Sequence, residues 1–363
     1  MYIHSFEKLP IPTSPYEEKV VRFCQAWMAG QDTFRIHTSG STGTPKQLLL
    51  TRSQMIASAE LTGKTFQLSP QSHALVCLNI DYIAGMMMLV RAMVLDLRIT
   101  VIEPKVNPLA EIDSDTPIDF ASFVPLQLQS MLLDTNCVER LNRMKALLVG
   151  GAAVGDVLAA QIKAKLQVPV YSTYGMTETV SHIAIRLLNE AADEAIFSVL
   201  DGVTIGVDQR QCLTINSAVT NFETIQTNDI VSVLSSNSFR LVGRIDNIIN
   251  SGGVKVQLEK VEKVFMEMVG QTSVAFSRAF AYGVTDEQLG QRLVMLLEKP
   301  LEITENGFEE ISKDQSELVL LCEKMKKVLS KYEIPKQFYA VSSFLETPTG
   351  KIDKIATIKR LNL

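Results

Sequence analysis

The stretch FRIHTSGSTGTPKQLLLT, residues 34–51, sets a loop of small residues between two short apolar strands. Its glycines, Gly40 and Gly43, permit positive φ, so successive backbone N–H groups can turn toward one anion. Further donors and one positive charge come from Thr38, Ser39, Ser41, Thr42, Thr44 and Lys46. This chemistry suits a triphosphate, and the alternative interpretation is a polar surface turn. The loop is not a Walker A motif, because Pro45 precedes Lys46 and a strand follows.

Outward from this loop, short apolar strands alternate with helices. Strands are predicted at 74–78, 99–102, 120–124, 146–149 and 168–171, and helices at 83–95, 126–133 and 157–166. Thr51 or Ser53 is predicted to cap the helix that follows the loop. Alternation of this kind predicts an α/β fold with a mostly parallel sheet covered by helices.

The pattern changes after about residue 189. Residues 196–245 are rich in short β-like runs and predict a small β subdomain, while residues 246–363 predict a smaller α+β unit. A chain of 363 residues is longer than one core usually spans. We therefore expect a large domain at 1–245 and a mobile C-terminal domain at 246–363.

Composition excludes several classes of function. A formal net charge of −5 argues against a nucleic-acid partner held by bulk charge. Five scattered cysteines and four histidines have no zinc-ligand spacing. The N-terminus shows no signal peptide, and the most apolar run, 83–97, is too short to span a membrane. The predicted location is cytoplasmic.

The loop TSGSTGTPK resembles the signature loop of the adenylate-forming, AMP-binding superfamily. That superfamily includes acyl-CoA and aryl-CoA synthetases, peptide-synthetase adenylation domains and firefly-type luciferases. His37 stands where the family usually has tyrosine. The resemblance implies that the loop, including Thr38, Lys46 and the residues between them already named, wraps the β- and γ-phosphates of ATP.

Two further motifs resemble the family in its order. In STYGMTE, residues 172–178, the resemblance implies that Tyr174 packs on adenine, Thr177 contacts the α-phosphate and Glu178 holds Mg²⁺. Thr173, Gly175 and Met176 complete this segment of the nucleotide site. In LLVGGAAV, residues 147–154, a strand runs into a small-residue turn. The resemblance implies that Gly151 and Ala152 form one wall of the nucleotide and acyl pocket.

The segments around Asp229 and Arg244 also follow the family. Asp229, in QTNDIV, is implied to bind the ribose hydroxyls, although Asn228 replaces the usual glycine, and asparagine tolerates positive φ. In GRIDNIINSGGVKV, residues 243–256, Arg244 is implied to contact ribose or phosphate and Asp246 to be the hinge. Ser251, Gly252 and Gly253 are implied to line the tunnel for the CoA thiol.

The last motif is PTGKIDK, residues 348–354. The resemblance implies that Lys351 is the catalytic lysine, placed near the α-phosphate and the attacking carboxylate, where a preorganised cation stabilises the transition state. Lys354 and Lys359 are nearby alternatives. The family's requirements are ATP, Mg²⁺ and CoA as co-substrate, and the implied class is an AMP-forming acid–thiol ligase.

Three segments are similar in sequence to those of short bacterial o-succinylbenzoate–CoA ligases of menaquinone biosynthesis: GMTETVSHIA, IAGMMMLVRAM and RIDNIINSGGVKV. Arg91 stands in an apolar helix, where an unpaired charge is costly. A substrate with a second carboxylate would pair with it; an intramolecular partner or a snorkelling side chain is the alternative. His182 is a second candidate for the acyl pocket.

Other functions stay open at this stage. They are a different acyl- or aryl-CoA ligase, a stand-alone adenylation enzyme that serves a carrier protein, and a nucleotide-binding protein without catalysis. Typical members carry a longer segment before the phosphate loop than this chain does. A missing N-terminal subdomain would expose core that a partner subunit covers, so a homodimer is a further hypothesis.

Overall fold

The structure is a computed structural model that describes residues 1–37, 47–189, 196–269, 276–299, 308–311, 316–347, 352–361 and 363. Contacts divide the chain into two compact units. The first holds most of residues 1–241, and the second holds 242–363 together with Asn228–Ile230.

The elements up to residue 244 alternate between strands and helices before strands take over. The strands are β1 (Tyr2–Ile3), β2 (Thr33–His37), β3 (Gln47–Thr51), β4 (His73–Val76), β5 (Arg98–Val101), β6 (Phe120–Phe123), β7 (Ala146–Val149), β8 (Val170–Gly175), β9 (His182–Leu187), β10 (Ile196–Val199), β11 (Thr204–Val207), β12 (Cys212–Asn216), β13 (Ile225–Ser235) and β14 (Ser238–Arg244). The helices are α1 (Pro15–Met28), α2 (Arg52–Thr65), α3 (Ile83–Val94), α4 (Pro125–Met131), α5 (Thr135–Leu141) and α6 (Asp156–Lys165). Short 3-10 turns lie at Pro108–Glu111, Thr177–Thr179, Ala218–Thr220 and Ile245–Asn247.

Within the described residues, twelve of these strands form one sheet in the order β1-β5-β4-β6-β7-β8-β9-β10-β14-β13-β12-β11. Pairing is parallel from β5 to β8, and helices connect β4 to β5, β6 to β7 and β7 to β8. From β8 to β9 and β9 to β10 it is antiparallel. The predicted α/β class is confirmed, and the β-rich segment predicted at 196–245 supplies strands to this same sheet.

Alternating residues of the parallel strands enter two separate cores. Ala74 and Val76 of β4 belong to a cluster with α1 and α3, whereas Leu75 packs with residues of α4, α5 and α6. Successive side chains of a strand point to opposite faces, so a sheet covered on both sides needs such uninterrupted apolar strands. In open sheets covered in this way, ligands bind outside the carboxyl ends of the strands.

Helix α2 begins directly after β3, with Thr51 as its cap. The Thr51 hydroxyl accepts from the backbone N–H of Gln54 (3.3 Å), and the Gln54 side chain accepts from the Thr51 N–H (3.0 Å). This reciprocal arrangement satisfies two otherwise unpaired donors and explains why the helix starts at Arg52. Across the described part of the chain, no helix has the length and apolar character needed to cross a membrane.

The second unit is a smaller α+β structure. Its strands are β15 (Ile248–Ser251), β16 (Val254–Gln257), β17 (Arg278–Asp286), β18 (Gly290–Glu298), β19 (Phe308–Ile311) and β20 (Gln337–Val341), and its helices are α7 (Leu258–Val269), α8 (Ser316–Met325) and α9 (Lys354–Arg360). The sheet order is β16-β15-β18-β20-β19, with β17 paired to β18. Helices α7 and α8 pack on this sheet through Phe265, Leu321 and Phe338.

Candidate active site

The predicted phosphate loop and the catalytic lysine lie outside the described residues. This applies to Thr38, Ser39, Gly40, Ser41, Thr42, Gly43, Lys46 and Lys351. The strands that flank the loop are described, and His37 pairs with Gln47 in an antiparallel register. The roles implied for the loop and for Lys351 stay predictions.

The Gly-Gly motif and the STYGMTE motif lie side by side at the carboxyl ends of β7 and β8. Thr173 donates a hydrogen bond to the carbonyl of Val149 (3.3 Å). A Cβ on Gly150 would lie 2.4 Å from the Thr173 hydroxyl, and Gly151 has φ +82°, so this turn favours glycine at both positions. Ala152 follows as an exposed residue. Open α/β sheets bind ligands at this edge.

Tyr174 points into the apolar core of the first unit. Its ring meets Phe239 edge-on at a centroid distance of 5.1 Å and lies 5.7 Å from Phe197. These contacts fix the ring plane. The adenine contact implied for Tyr174 stays a prediction.

The loop after β8 presents one free carboxylate. Glu178 is exposed and has no hydrogen bond or ion pair with another described residue, and Met176 and Thr177 beside it are half-buried. No group of three or more metal-ligating side chains occurs in the described ranges. A lone carboxylate suits Mg²⁺, which commonly binds through one or two carboxylates together with substrate phosphates.

A strained turn follows Glu178 immediately. Val180 has φ +63° and ψ −55°, and the Ser181 N–H donates to the Thr179 carbonyl at 2.6 Å, which makes a γ-turn of the rare positive-φ form. Backbone strain of this kind costs about 1–3 kcal/mol and persists only where the surrounding contacts fix the conformation. Val180 is fully buried, and the Thr179 hydroxyl donates to the Ser181 carbonyl (2.8 Å).

The turn delivers Ser181 to the buried guanidinium of Arg91 on α3. Arg91 is 3% exposed and donates to three neutral acceptors: Ser181 (3.0 Å), Thr62 (3.1 Å) and the Met88 sulfur (3.5 Å). The hydroxyls of Ser181 and Ser58 share a hydrogen bond of 2.7 Å. None of the described carboxylates forms an ion pair with Arg91. The intramolecular partners that the sequence left open as an alternative are therefore present among the described residues, and all three are neutral.

His182 lies beside this cation and stays neutral. Burial, and secondly the charge of Arg91, lower the pKa of His182 to about 3, whereas burial lowers the pKa of Arg91 only to about 10. At neutral pH the site therefore holds one positive charge. The Nε2 atom of His182 is buried and has no hydrogen-bond partner among the described residues.

Gly175 allows the strained turn to pack closely on β8. A Cβ there would lie 2.2 Å from the Ser181 carbonyl oxygen and 2.6 Å from the His182 Cα, and both are backbone atoms. We expect Gly175→Ala to displace the turn and to lower unfolding free energy by about 1–3 kcal/mol, as overpacking does. Thermal unfolding measures the loss of stability, and the KM for the acid reports the displacement of the turn.

Gly155→Ala is the matched control for that variant. A Cβ at Gly155 meets no atom within 4 Å, and its φ is −72°. Gly155→Ala should leave both measurements nearly unchanged. Equal effects of the two substitutions would contradict a specific packing role for Gly175.

In the second unit, Arg244 joins two predicted site residues. Its guanidinium donates to Asp229 (3.0 Å) and makes two hydrogen bonds to Asp246 (2.8 and 2.6 Å). Burial raises the pKa of Asp246, but the hydrogen bonds and charge of Arg244 outweigh it, and the pKa is lowered. The hinge candidate is thus tied to the ribose candidate through one arginine, and the ligand roles of all three stay predictions.

The predicted CoA segment is a tight hairpin. Ser251 pairs with Val254, and Gly252 and Gly253 form the two-residue loop with φ +61° and +80°. Positive φ at both loop residues matches the twist of the strands and favours glycine. The Ser251 hydroxyl is fully buried and has no partner among the described residues.

Sequence reasoning missed the polar residues that support Arg91. Ser58, Thr62 and Ser181 come from two elements, and Ser181 is 90 residues from Arg91 in the chain. Ser58 and Thr62 are spaced by four on α2, so a helical projection puts both on one face. That spacing was the available signal, and nothing in the sequence indicated that the face meets Arg91.

Fold and site together define the class of protein. A helix-covered sheet with an acidic loop at its carboxyl edge, joined to a smaller α+β unit, is the architecture of an adenylate-forming ligase, as the motifs predicted. The AMP-binding enzyme family matches residues 9–205, and the chain belongs to that family. The predicted enzyme class, an AMP-forming acid–thiol ligase, is confirmed at this level.

Three relatives are similar to most of the chain. A solved acyl-CoA synthetase (AMP-forming)/AMP-acid ligase II-like protein from Dyadobacter fermentans is 40% identical, with 99% of this chain and 100% of that chain covered and a TM-score of 0.65. The 2-succinylbenzoate–CoA ligase of Staphylococcus epidermidis is 23% identical over 87% of this chain and 67% of its own length, and that of Bacillus cereus is 26% identical over 83% and 64%. The chain spans about two thirds of the length of these two curated relatives.

Proposed function

We propose that this chain converts a dicarboxylic acid, ATP and CoA into an acyl-CoA, AMP and diphosphate, with 2-succinylbenzoate as the acid. The observation that carries the choice of acid is Arg91, a buried cation whose contacts with the described residues are all to neutral groups. The named function of the curated relatives agrees with it.

The energetic reason is the cost of an uncompensated buried charge. An ion removed from water loses several kcal/mol, and only a close counter-charge with good hydrogen bonds restores it. Arg91 has five N–H donors. Its three contacts use Nε and one N–H each from Nη1 and Nη2, and the Met88 sulfur is a weak acceptor. A carboxylate of the substrate would supply the missing charge and accept the remaining donors.

His182 adds a second donor of the right kind. In the tautomer protonated at Nε2, neutral His182 donates a hydrogen bond without adding a second buried charge. Its Nε2, which meets no hydrogen-bond partner in the described ranges, makes it the complement to Arg91 in a site for one carboxylate. The other carboxylate of the acid is then the one that reacts.

The proposed reaction has two steps. A carboxylate oxygen attacks the α-phosphorus of ATP, so that the P–O bond to diphosphate breaks and an acyl-adenylate forms. Lys351 stabilises the negative charge that develops there. Glu178 would hold Mg²⁺, which would supply positive charge beside the phosphates. The C-terminal domain then turns about Asp246, and the CoA thiolate attacks the acyl carbon, which releases AMP.

Acid-dependent exchange of labelled diphosphate into ATP tests this proposal directly. The panel comprises 2-succinylbenzoate, benzoate, an aliphatic dicarboxylate and a monocarboxylate of similar length, each assayed with and without CoA. We expect 2-succinylbenzoate to give the highest kcat/KM and to yield a CoA thioester. Exchange with monocarboxylates alone would point to another acyl-CoA ligase, and nucleotide binding without exchange would point to a non-catalytic protein.

A homodimer remains a separate proposal for this chain. It concerns assembly rather than chemistry. Sedimentation of the purified chain tests it, and a single monomeric species over a concentration series would remove it.

A further inference from the structure

A buried carboxylate at the end of β18 organises part of the second unit. Glu298 is 8% exposed and accepts four hydrogen bonds: two from Arg278 (both 2.7 Å), one from the Ser277 hydroxyl (2.7 Å) and one from the Phe344 N–H (2.8 Å). The hydrogen bonds from Arg278 contribute most to lowering the pKa of Glu298, to about 2. A planar Arg–carboxylate pair with its other acceptor positions filled has a fixed geometry.

The same arginine extends to the segment that precedes the predicted catalytic lysine. Arg278 donates through Nη1 to Glu346 (2.5 Å). Glu346 in turn forms an antiparallel bridge with Ile352, and the Asp353 N–H donates to the Leu345 carbonyl (2.7 Å). We call the contacts among Arg278, Glu298 and Glu346 the frame. The chain leaves the frame at Glu346 and returns to it at Ile352.

Beyond Ile352 the chain is anchored again. The Asp353 side chain caps α9 by accepting from the Ala356 N–H (2.9 Å), and the Leu345 N–H donates to the Thr357 hydroxyl (3.0 Å). Lys354 pairs with Glu262 of α7 at 2.7 Å. This engagement makes Lys354 a structural cation and a poor alternative to Lys351.

We infer that Arg278, Glu298 and Glu346 are positioning residues for Lys351, because they fix both ends of the segment that carries it. The inference rests on the proposed function, in which Lys351 acts in adenylate formation. A cation lowers a barrier only when it is held in place before charge develops. Supporting residues that lock the ends of such a segment reduce the freedom the lysine must lose.

The test separates the two half-reactions in purified full-length variants. Glu346→Gln removes the ion pair between Arg278 and Glu346 and leaves the Arg278–Glu298 pair intact. The double variant Arg278→Gln/Glu298→Gln removes the frame without leaving a buried charge. We expect adenylate formation to fall about threefold in the first and about tenfold or more in the second, since misplacement of a group can cost up to about a hundredfold. Thioester formation from supplied acyl-adenylate should keep its wild-type rate.

Lys260→Gln is the matched control. It breaks an exposed pair with Glu333 (2.6 Å) in the same unit and should change neither half-reaction. Hydrogen exchange of residues 345–353 adds a readout independent of activity, and the Asp353 N–H should exchange faster in both frame variants.

The outcomes distinguish this inference from the proposed function. If the wild-type chain forms no acyl-adenylate with any acid, the proposed function falls first and the inference with it. If the wild type is active and both frame variants keep its adenylation rate, or lose both half-reactions equally, the inference alone is overturned.

Discussion

Lys351→Ala should lower the rate of acyl-adenylate formation by about 10²–10³-fold, the usual effect of removing one preorganised group that stabilises transition-state charge. Thioester formation from supplied acyl-adenylate and CoA should be largely retained, because no phosphorus is attacked in that step. Single-turnover assays of each half-reaction measure the two rates separately.

Lys359→Ala is the control for that variant. Lys359 is exposed on α9, in the same segment of sequence. Its removal should leave both half-reactions at wild-type rates, which would show that loss of a nearby positive charge is not sufficient. Equal loss of both half-reactions in Lys351→Ala would contradict a role confined to adenylation and the two-conformation mechanism behind it.

The order of strands and helices could be predicted from sequence because it depends on local periodicity. The helix predicted at 83–95 is α3 at Ile83–Val94, and the strand predicted at 146–149 is β7 at Ala146–Val149. Errors occur where tertiary pairing decides. The strand predicted at 168–171 extends to Gly175, because β9 pairs with it along the motif.

Sheet direction was predicted only in part for the same reason. Helical crossovers indicated parallel pairing up to β8, and five strands are paired in this way. The later strands have no helices between them, so their joining of the same sheet in antiparallel pairs depends on contacts that single-sequence patterns do not encode.

In the candidate site, too, local motifs could be recognised in the sequence, whereas contacts between distant segments could not. Family motifs predicted Glu178, Asp229 and Arg244 as site residues, since each lies in a short contiguous signature. The partners of these residues could not be predicted from sequence. Arg244 contacts both Asp229 and Asp246. Ser181 contacts Arg91 directly after the strained turn at Val180. Contacts between distant segments require the assembled fold.

Arg91→Met should raise the KM for 2-succinylbenzoate about a hundredfold, in line with the 2–5 kcal/mol lost on breaking a buried, hydrogen-bonded charge pair. Activity with a monocarboxylate should persist. Stability should hold or rise, because an uncompensated buried charge is replaced by an apolar side chain. The hydroxyls left behind keep partners, since Ser181 still bonds Ser58, and Thr62 donates to the Ser58 carbonyl (3.0 Å).

Thr62→Asp tests the same point by adding rather than removing charge. The introduced carboxylate would lie against the Arg91 Nε, where the Thr62 hydroxyl now accepts at 3.1 Å, and would supply an internal counter-ion. We expect the KM for the dicarboxylate to rise and that for monocarboxylates to change little. Thr65→Asp, on the same helix but without contact to Arg91, should leave the preference intact. If Arg91 serves only the fold, Arg91→Met will lower the melting temperature and leave the preference between acids unchanged.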